Sequence, residues 1–288
     1  MEEECRGPGD GHPAWNSHRH AGAASQRVPS DAPLPQCAFH VYRHISKTGG
    51  TTLRFLFDKQ TAMGEWEYPL IYGFKEDAWE ELLSRWRDAV GQWKAGERGG
   101  PRTLVEVRGN WPSNWPAENF AGRIMPDVAA LREQFEPLGC TVSTSILLRK
   151  PLPQYLSFYN YYIRKHQTAA AGGDENRRWP DVMGSEAWGS DAGEWAAAVP
   201  DMQVRELLGD KCTTSMRQPG YDVEWRDGAP ARLGLHQFPP ECRVTQEDYG
   251  KFERMIQEFD VVGSTEQFDS FLLLLAAGAY TRPLFGST

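Results

Sequence analysis

The chain lacks any apolar run long enough to cross a membrane. Its longest such stretch, residues 271–279, is well short of the roughly 18 apolar residues that a spanning helix needs, so we expect a buried terminal helix there. No basic segment followed by an apolar one, the pattern of a signal peptide, comes after Met1. Basic residues are also in deficit: 31 Lys and Arg against 39 Asp and Glu leave a net charge of −8 and a pI near 5.5, which argues against DNA or RNA binding.

The cysteines are few and do not have the spacing of a metal site. Five are present, so they cannot all pair within the chain. Cys212 and Cys242 flank a stretch rich in Pro and Gly, and both a disulfide in an oxidising compartment and a pair of free buried thiols fit this placement. The N-x-[ST] sequon is absent, which excludes N-linked glycosylation at that signal.

Apolar periodicity is missing from the first 35 residues, which hold mainly Pro, Gly, Ser, His and charged side chains. Such a composition cannot bury enough apolar surface to offset the entropy lost on folding, so residues 1–35 are predicted to be a disordered tail. The whole chain is 40% hydrophobic and 12% aromatic, which is enough for a substantial core. Residues 36–288 are therefore predicted to form one large domain.

Strand-like and helix-like segments alternate along this domain. β-prone runs lie near 38–44, 103–108, 141–148 and 260–264, and helices are expected through about 60, over 77–93, from 127 to 139, after 151, around 203 and at the end. Residues 110–122 and 213–245 are expected to be irregular. The helix over 77–93 has an apolar stripe formed by Trp79, Leu82, Leu83, Trp86 and Val90. Alternation of this kind predicts an α/β layer fold with a parallel sheet.

The segment His44–Leu53 reads H-I-S-K-T-G-G-T-T-L, and it lies between an apolar β-prone run and a helix-compatible one. Backbone N–H groups in the first turn of a helix have no partner within that helix, and the helix dipole adds partial positive charge behind them. A turn with these properties binds phosphate. Lys47 adds a point charge and the threonines add hydroxyl donors.

In the Walker nucleotide loop the lysine follows the glycines, whereas Lys47 precedes Gly49 and Gly50. A plain Gly-Gly turn between two core elements is one alternative. The segment resembles the 5′-phosphosulfate loop of sulfotransferases that use 3′-phosphoadenosine 5′-phosphosulfate (PAPS). It looks most like the membrane-associated carbohydrate O-sulfotransferases of the heparan and chondroitin type, where the loop reads close to H-I-P-K-T-G-G-T-T. Ser46 replaces the usual proline, which we interpret as a mild departure that affects only the turn.

A second segment of the chain, residues 141–163, supports the same resemblance. Its β-prone start ends at Arg149, Pro151 suits the first turn of a helix, and Ser157 follows two turns later. This resembles the R-x-P-x-x-x-x-x-S segment whose arginine and serine hold the 3′-phosphate of the donor in the same family. The alternative is an arginine that caps the sheet edge and a serine that faces solvent.

Two weaker likenesses follow in the order that the family has. Residues 201–209 resemble its N-x-Q-x-R-x-L-x-G helix, and residues 260–268 resemble its F-D-x-V-G-x-T-E-x-F strand, turn and helix. The resemblance thus covers about 38 to about 278. It implies a three-layer, P-loop-like fold, PAPS as sulfuryl donor, no metal, and a hydroxyl acceptor that is most often a carbohydrate.

The resemblance also implies roles for individual residues. Lys47 would stabilise the phosphate leaving group, and Arg149 with Ser157 would hold the 3′-phosphate. The backbone donors around the 5′-phosphosulfate would come from Thr48, Gly49, Gly50, Thr51 and Thr52.

The base that takes the acceptor's hydroxyl proton is harder to identify. Where many relatives have a histidine after the next strand, this chain offers Arg108 or Asn110, and neither is a plausible base. Glu106 is the first candidate, since it alternates with two valines and so lies on the opposite face of the strand; a salt bridge with Arg108 is the alternative. His44 is a second candidate, although the equivalent histidine looks structural in relatives.

The sequence does not identify the acceptor or the cellular compartment. A net negative domain argues against a heparan-like polyanion as acceptor. Relatives carry an N-terminal anchor into the Golgi lumen, and an incomplete chain, a lost anchor and a soluble enzyme are all compatible with this sequence. Two other functions stay open: a degenerate relative that binds PAPS without transfer, and a P-loop phosphotransferase, which needs a lysine after the glycines and a magnesium-binding aspartate.

Overall fold

A computed structural model describes residues 35–71, 76–108, 120–160, 201–208, 225–226, 229–230 and 244–280. All of them belong to one compact unit, Ala32–Thr288. The predicted tail, apart from its last residue, lies outside the described residues. So do Cys212, Cys242 and Asn110.

The strands of the described residues are β1 Ala38–His44, β2 Leu70–Ile71, β3 Arg102–Arg108, β4 Thr141–Leu148, β5 Trp225–Arg226, β6 Ala229–Pro230 and β7 Val261–Ser264. Five of them form the central parallel sheet, in the order β2-β3-β1-β4-β7, and β5 and β6 form a separate antiparallel pair. The register sets His44 opposite Arg108 and Arg43 opposite Ile146. The carboxyl ends of β1, β3 and β4 therefore meet at one edge of the sheet.

Helices follow the strands. Their bounds are α1 Gly50–Ala62, α2 Glu76–Lys94, α3 Met125–Phe135, α4 Pro151–Phe158, α5 Met202–Leu208, α6 Gln246–Gln257 and α7 Phe268–Tyr280. A π-helical turn, Phe120–Ile124, precedes α3, and short 3₁₀ turns lie at Glu136–Leu138 and Thr265–Gln267. No helix within the described residues is both long and apolar enough to cross a membrane.

The helices cover both faces of the sheet, so the fold has three layers. One core contains Phe39 of β1 with α2, α3, α5 and α6; Phe39 contacts Trp86 edge to face at 5.0 Å between ring centroids. The other core contains Tyr42 of the same strand with α1 and α7. All seven residues of β1 are buried, as expected for the central strand of a parallel sheet. The predicted α/β fold with a parallel sheet is confirmed.

Two side chains of β1 are polar and yet fully buried. The His40 ring lies between Ser143 and Ser145 of β4, with 2.8 Å from Nδ1 and from Nε2 to their hydroxyl oxygens. Burial lowers the pKa of His40 to about 4, so this ring is neutral at pH 7. The Arg43 guanidinium contacts the Phe120 ring at 5.1 Å, and burial lowers the pKa of Arg43 to about 10.

The structure adds features that the sequence did not predict. A disulfide joins Cys37 and Cys140, which precede β1 and β4 at the amino edge of the sheet, with 4.5 Å between their Cα atoms. Helix α6 was not predicted, although Thr245 and Asp248 form a capping box at its start. The helix expected from Asp127 begins two residues earlier, at Met125, and ends in the 3₁₀ turn before Gly139.

Candidate functional site

The predicted phosphate loop lies between β1 and α1, at the carboxyl edge of the sheet. Gly49 is the N-cap of α1 and has φ 86, a left-handed conformation that favours glycine. Lys47 also has a positive φ, 64, which is uncommon for a residue with a side chain. Non-glycine residues in this conformation concentrate at functional sites. The turn thus aims the N terminus of α1 at the space beyond the sheet edge.

Gly50 is required for a different reason. A Cβ atom added to Gly50 would lie 1.9 Å from both Cε1 and Nε2 of His44, so the imidazole packs directly on the glycine backbone. The two adjacent glycines therefore have different structural roles. Gly49 permits the left-handed turn, and Gly50 leaves room for the His44 ring beneath the start of α1.

The threonines of the loop differ in exposure. Thr48 is fully buried, and its hydroxyl donates to the carbonyl oxygen of Ile45 at 2.8 Å, which closes the turn. Thr51 and Thr52 are exposed on the first turn of α1. Their hydroxyls are thus within reach of a ligand from solvent, while the Thr48 side chain stabilises the loop. The backbone N–H of Thr52, predicted to hold the anion, instead donates to the carbonyl oxygen of Gly49 at 3.0 Å.

The two predicted phosphate motifs meet through Arg149. Its Nη1 donates to the carbonyl oxygen of Lys47 at 3.1 Å. Arg149 directly follows β4, the neighbour of β1, so sheet topology brings a residue 102 positions away to the loop. Ser157 is half-buried on α4. Whether it meets Arg149 at one anion stays a prediction.

Positive charge is concentrated at this edge. Burial, together with the charges of Arg108 and Arg149, lowers the pKa of the half-buried Lys47 ammonium. Arg108 ends β3 and lies opposite His44 at the end of β1. A bound anion would stabilise the cations at these three adjacent strand ends.

Beneath the loop, Glu106 collects hydrogen bonds from three side chains. His44 Nδ1 lies 2.5 Å from Oε1, Arg54 donates to Oε1 at 2.7 Å and to Oε2 at 3.1 Å, and the Tyr68 hydroxyl donates to Oε2. Glu106 is fully buried on the α1 face of β3, opposite the two valines beside it, as its alternation predicted. Its neighbours in the network are therefore residues of β1, α1 and the segment before β2.

The protonation of this network bears on the predicted base. Burial raises the pKa of Glu106, but the hydrogen bonds from His44, Arg54 and the Tyr68 hydroxyl outweigh burial and hold this pKa at about 2. Burial lowers the pKa of His44 below its ordinary value despite the hydrogen bond and charge of Glu106, so the ring is neutral at pH 7. With its Nδ1–H assigned to Glu106, the Nε2 lone pair of His44 faces the start of α1. A carboxylate bonded in this way accepts a further proton poorly, which favours a positioning role for Glu106.

Several residues that support the site were not identified from the sequence. Gln203 of α5 exchanges two hydrogen bonds with the backbone of Arg149: its Oε1 accepts from N at 3.0 Å and its Nε2 donates to O at 2.6 Å. Glu206, one turn later, accepts from the backbone N–H of Ser46 at 2.6 Å. Gln154 of α4 donates to the Ser46 carbonyl oxygen at 2.9 Å. The only sequence signal for the first two was the N-x-Q-x-R-x-L-x-G likeness.

Within the described ranges, no group of three or more His, Cys, Asp or Glu side chains is arranged to hold a metal ion. The expectation of metal-free chemistry stays a prediction. Comparisons of the chain with models of protein families, with curated proteins and with solved structures found no match. The residues and geometry of the site are thus the basis for proposing its function.

Proposed function

We propose that this chain is a PAPS-dependent sulfotransferase with a P-loop-like fold, which transfers the sulfuryl group to a hydroxyl of a carbohydrate. One contact supports this most: Arg149 Nη1 donates to the carbonyl oxygen of Lys47. It joins the two segments that would hold the two phosphates of one nucleotide. Adjacent parallel strands are about 4.8 Å apart, so anions at the ends of β1 and β4 fall within the span of a single adenosine bisphosphate.

In this proposal the donor lies across the carboxyl edge of the sheet. The backbone donors from Thr48 to Thr51, with the hydroxyl of Thr52, hold the 5′-phosphosulfate at the N terminus of α1, where the helix dipole favours an anion. Arg149 holds the 3′-phosphate together with Ser157. Charge-assisted hydrogen bonds of this kind contribute about 1.5–3 kcal/mol each, so the 3′-phosphate accounts for a large part of the affinity.

Transfer is an in-line displacement at sulfur. The acceptor oxygen forms a bond to sulfur while the bond from sulfur to the bridging phosphate oxygen breaks, and adenosine 3′,5′-bisphosphate leaves. Lys47 stabilises the charge that develops on the bridging oxygen. The acceptor proton passes to a base; between the two predicted candidates we favour His44, a neutral imidazole oriented by Glu106.

A degenerate relative that binds PAPS without transfer is the second candidate function. Arg108 at the end of β3 favours it, because Arg108 and Asn110 are the residues that this chain offers where many of the resembled enzymes have a histidine, and Arg108 disfavours protonation of both Lys47 and His44. The phosphotransferase alternative has less support, since Lys47 lies before the glycines that begin α1.

The decisive experiment is calorimetric titration of the whole chain with adenosine 3′,5′-bisphosphate and with ADP. The two ligands differ mainly in the position of the second phosphate. We expect tighter binding of the 3′,5′-compound, and loss of about tenfold to hundredfold of that preference in Arg149→Ala, as expected from removing one charge-assisted bond. Equal or tighter binding of ADP would contradict the proposal. Donor binding without transfer in an acceptor screen would support the second candidate.

A further inference from the structure

Helix α5 contacts both predicted phosphate sites, although none of its residues was assigned to either. Gln203 pairs with the backbone N–H and carbonyl of Arg149, at 3.0 and 2.6 Å. Glu206 accepts from the backbone N–H of Ser46, directly before Lys47, at 2.6 Å. Positions i and i+3 lie on the same side of a helix, so one face of α5 touches both segments.

The bond to Ser46 depends on the departure of this chain from the sequence pattern that it resembles. Proline has no backbone N–H and could not donate to Glu206. Gln154, which is almost fully buried, donates to the carbonyl oxygen of the same residue at 2.9 Å. The backbone N–H and the carbonyl oxygen of Ser46 are therefore both hydrogen-bonded to side chains, so this residue also links the turn to α4 and α5.

Helix α5 is itself tied to the sheet. The buried Arg43 side chain of β1 donates from Nη2 to the Glu206 carbonyl oxygen and from Nη1 to the Val107 carbonyl oxygen of β3 at 3.3 Å. Leu207 is fully buried in the core beneath. A helix fixed in this way can define the distance between the two segments that it touches.

We infer that Gln203 and Glu206 are positioning residues that hold the two phosphate sites at the spacing of one adenosine 3′,5′-bisphosphate. Glu206 acts on the 5′-side through the N–H of Ser46, and Gln203 acts on the 3′-side through the backbone of Arg149. This inference rests on the proposed function and deepens it. In it, a helix that contacts the backbone of Arg149 and of Ser46 contributes to the recognition of a 3′,5′-bisphosphate.

The test compares three ligands by calorimetry on the full chain: adenosine 3′,5′-bisphosphate, 5′-AMP and 3′-AMP. Gln203→Ala is expected to weaken binding of 3′-AMP and of the bisphosphate about tenfold and to leave 5′-AMP within about twofold. Glu206→Ala is expected to weaken binding of 5′-AMP about tenfold and to leave 3′-AMP within about twofold. Glu206→Gln keeps an acceptor oxygen and should restore most of the 5′-AMP affinity.

A double-mutant cycle isolates the hydrogen bond from the Ser46 N–H to the Glu206 carboxylate. Ser46→Pro removes the N–H donor and leaves Glu206 in place, so it should match Glu206→Ala, and the double variant should lose nothing more. Thermal melts accompany every titration. If Gln203→Ala does not fold, Gln203→Glu, which keeps the acceptor and loses the donor, replaces it.

The outcomes separate the inference from the proposed function. If the parent chain binds the bisphosphate and the variants weaken all three ligands equally, or none, the positioning roles are wrong and the proposed function stands. If the parent binds none of the three, or binds ADP as tightly as the bisphosphate or more tightly in the titration described above, the proposed function fails, and the inference fails with it.

Discussion

His44 and Glu106 lie on adjacent parallel strands, and Nδ1 of the histidine is 2.5 Å from Oε1 of the carboxylate. The pair sits under the first residue of α1, where a side chain larger than that of glycine would collide with the ring. The predicted phosphate loop is therefore built on a buried charged network instead of an apolar one. Its stability and its chemistry should both depend on the protonation of that network.

The first prediction concerns pH. The pKa of Glu106 falls from its ordinary 4.5 to about 2, so between pH 4.5 and 2 the unfolded chain binds a proton that the folded chain does not. The contribution of Glu106 to folding is thus complete above pH 4.5 and is lost as the pH falls through this window, by about 3 kcal/mol. Denaturant unfolding from pH 7 to pH 3 should detect about 2 kcal/mol of this loss, since one pKa unit corresponds to about 1.4 kcal/mol.

The control for this prediction is Glu106→Gln. The variant should be less stable at pH 7 by a similar amount, because the Arg54 charge loses its buried partner, and it should lose less stability below pH 4.5. The comparison is needed because His40, with a pKa of about 4, weakens the fold in the overlapping window from pH 6.5 to 4. If the free energy of unfolding fell in parallel for parent and variant below pH 4.5, the stability lost there would not come from Glu106.

The second prediction concerns the base. If His44 takes the acceptor proton, His44→Gln should lower kcat by about a hundredfold or more and leave binding of adenosine 3′,5′-bisphosphate little changed. Tyr68→Phe is the matched control, since it removes a different hydrogen bond from the same carboxylate. Transfer is measured from labelled PAPS to an acceptor found by a glycan screen.

Glu106→Ala distinguishes the two candidate bases in the same assay. A positioned imidazole should retain part of its activity when its carboxylate partner is lost, whereas removal of the base itself should abolish the catalysed step. Transfer that survives Glu106→Ala unaltered would exclude both the predicted base role and the proposed orienting role.

Much of the fold was predictable because its signals are local. The stripe from Trp79 to Val90 is buried as expected, and the strands at 38–44 and 141–148 have the bounds that their apolar runs predict. Lys47, Gly49 and Gly50 lie within ten residues, so sequence alone could predict the turn between β1 and α1, whereas its binding of phosphate stays a prediction.

The contacts that complete the site were not predictable, because they join residues far apart in the chain. Glu206 meets Ser46 across 160 positions, and Glu106 meets Arg54 across 52. The same holds for Cys37 and Cys140, which are neighbours only because β1 and β4 pair in register. Strand alternation placed Glu106 on the correct face but could not identify which side chains of α1 would meet it.

The third prediction concerns the paired glycines. In Gly50→Ala the new methyl group would lie 1.9 Å from the His44 ring, so the ring or the helix start must shift. We expect a destabilisation of about 1–3 kcal/mol, typical of overpacking, together with loss of bisphosphate binding. Unfolding by denaturant and calorimetry measure the two effects.

Gly91 provides the matched control for that substitution. It lies within α2, and an added Cβ atom meets nothing within 4 Å. Gly91→Ala should therefore stabilise the chain by about 0.5–1 kcal/mol through helix propensity and leave ligand binding unchanged. If both alanine variants behaved alike, the packing of His44 on Gly50 would not be what makes that glycine necessary.

The fourth prediction concerns the disulfide between Cys37 and Cys140, which closes a loop with a sequence separation of 103. A bond across a loop of this length restricts the unfolded chain and stabilises the fold by up to about 4–5 kcal/mol, so reduction, or Cys37→Ala with Cys140→Ala, should lower the melting temperature. Because the bond lies at the amino edge of the sheet and the site at the carboxyl edge, the double variant should bind bisphosphate normally below its melting temperature. Alkylation of the denatured, unreduced chain followed by peptide mass spectrometry tests the pairing directly, and modification of both cysteines would contradict it.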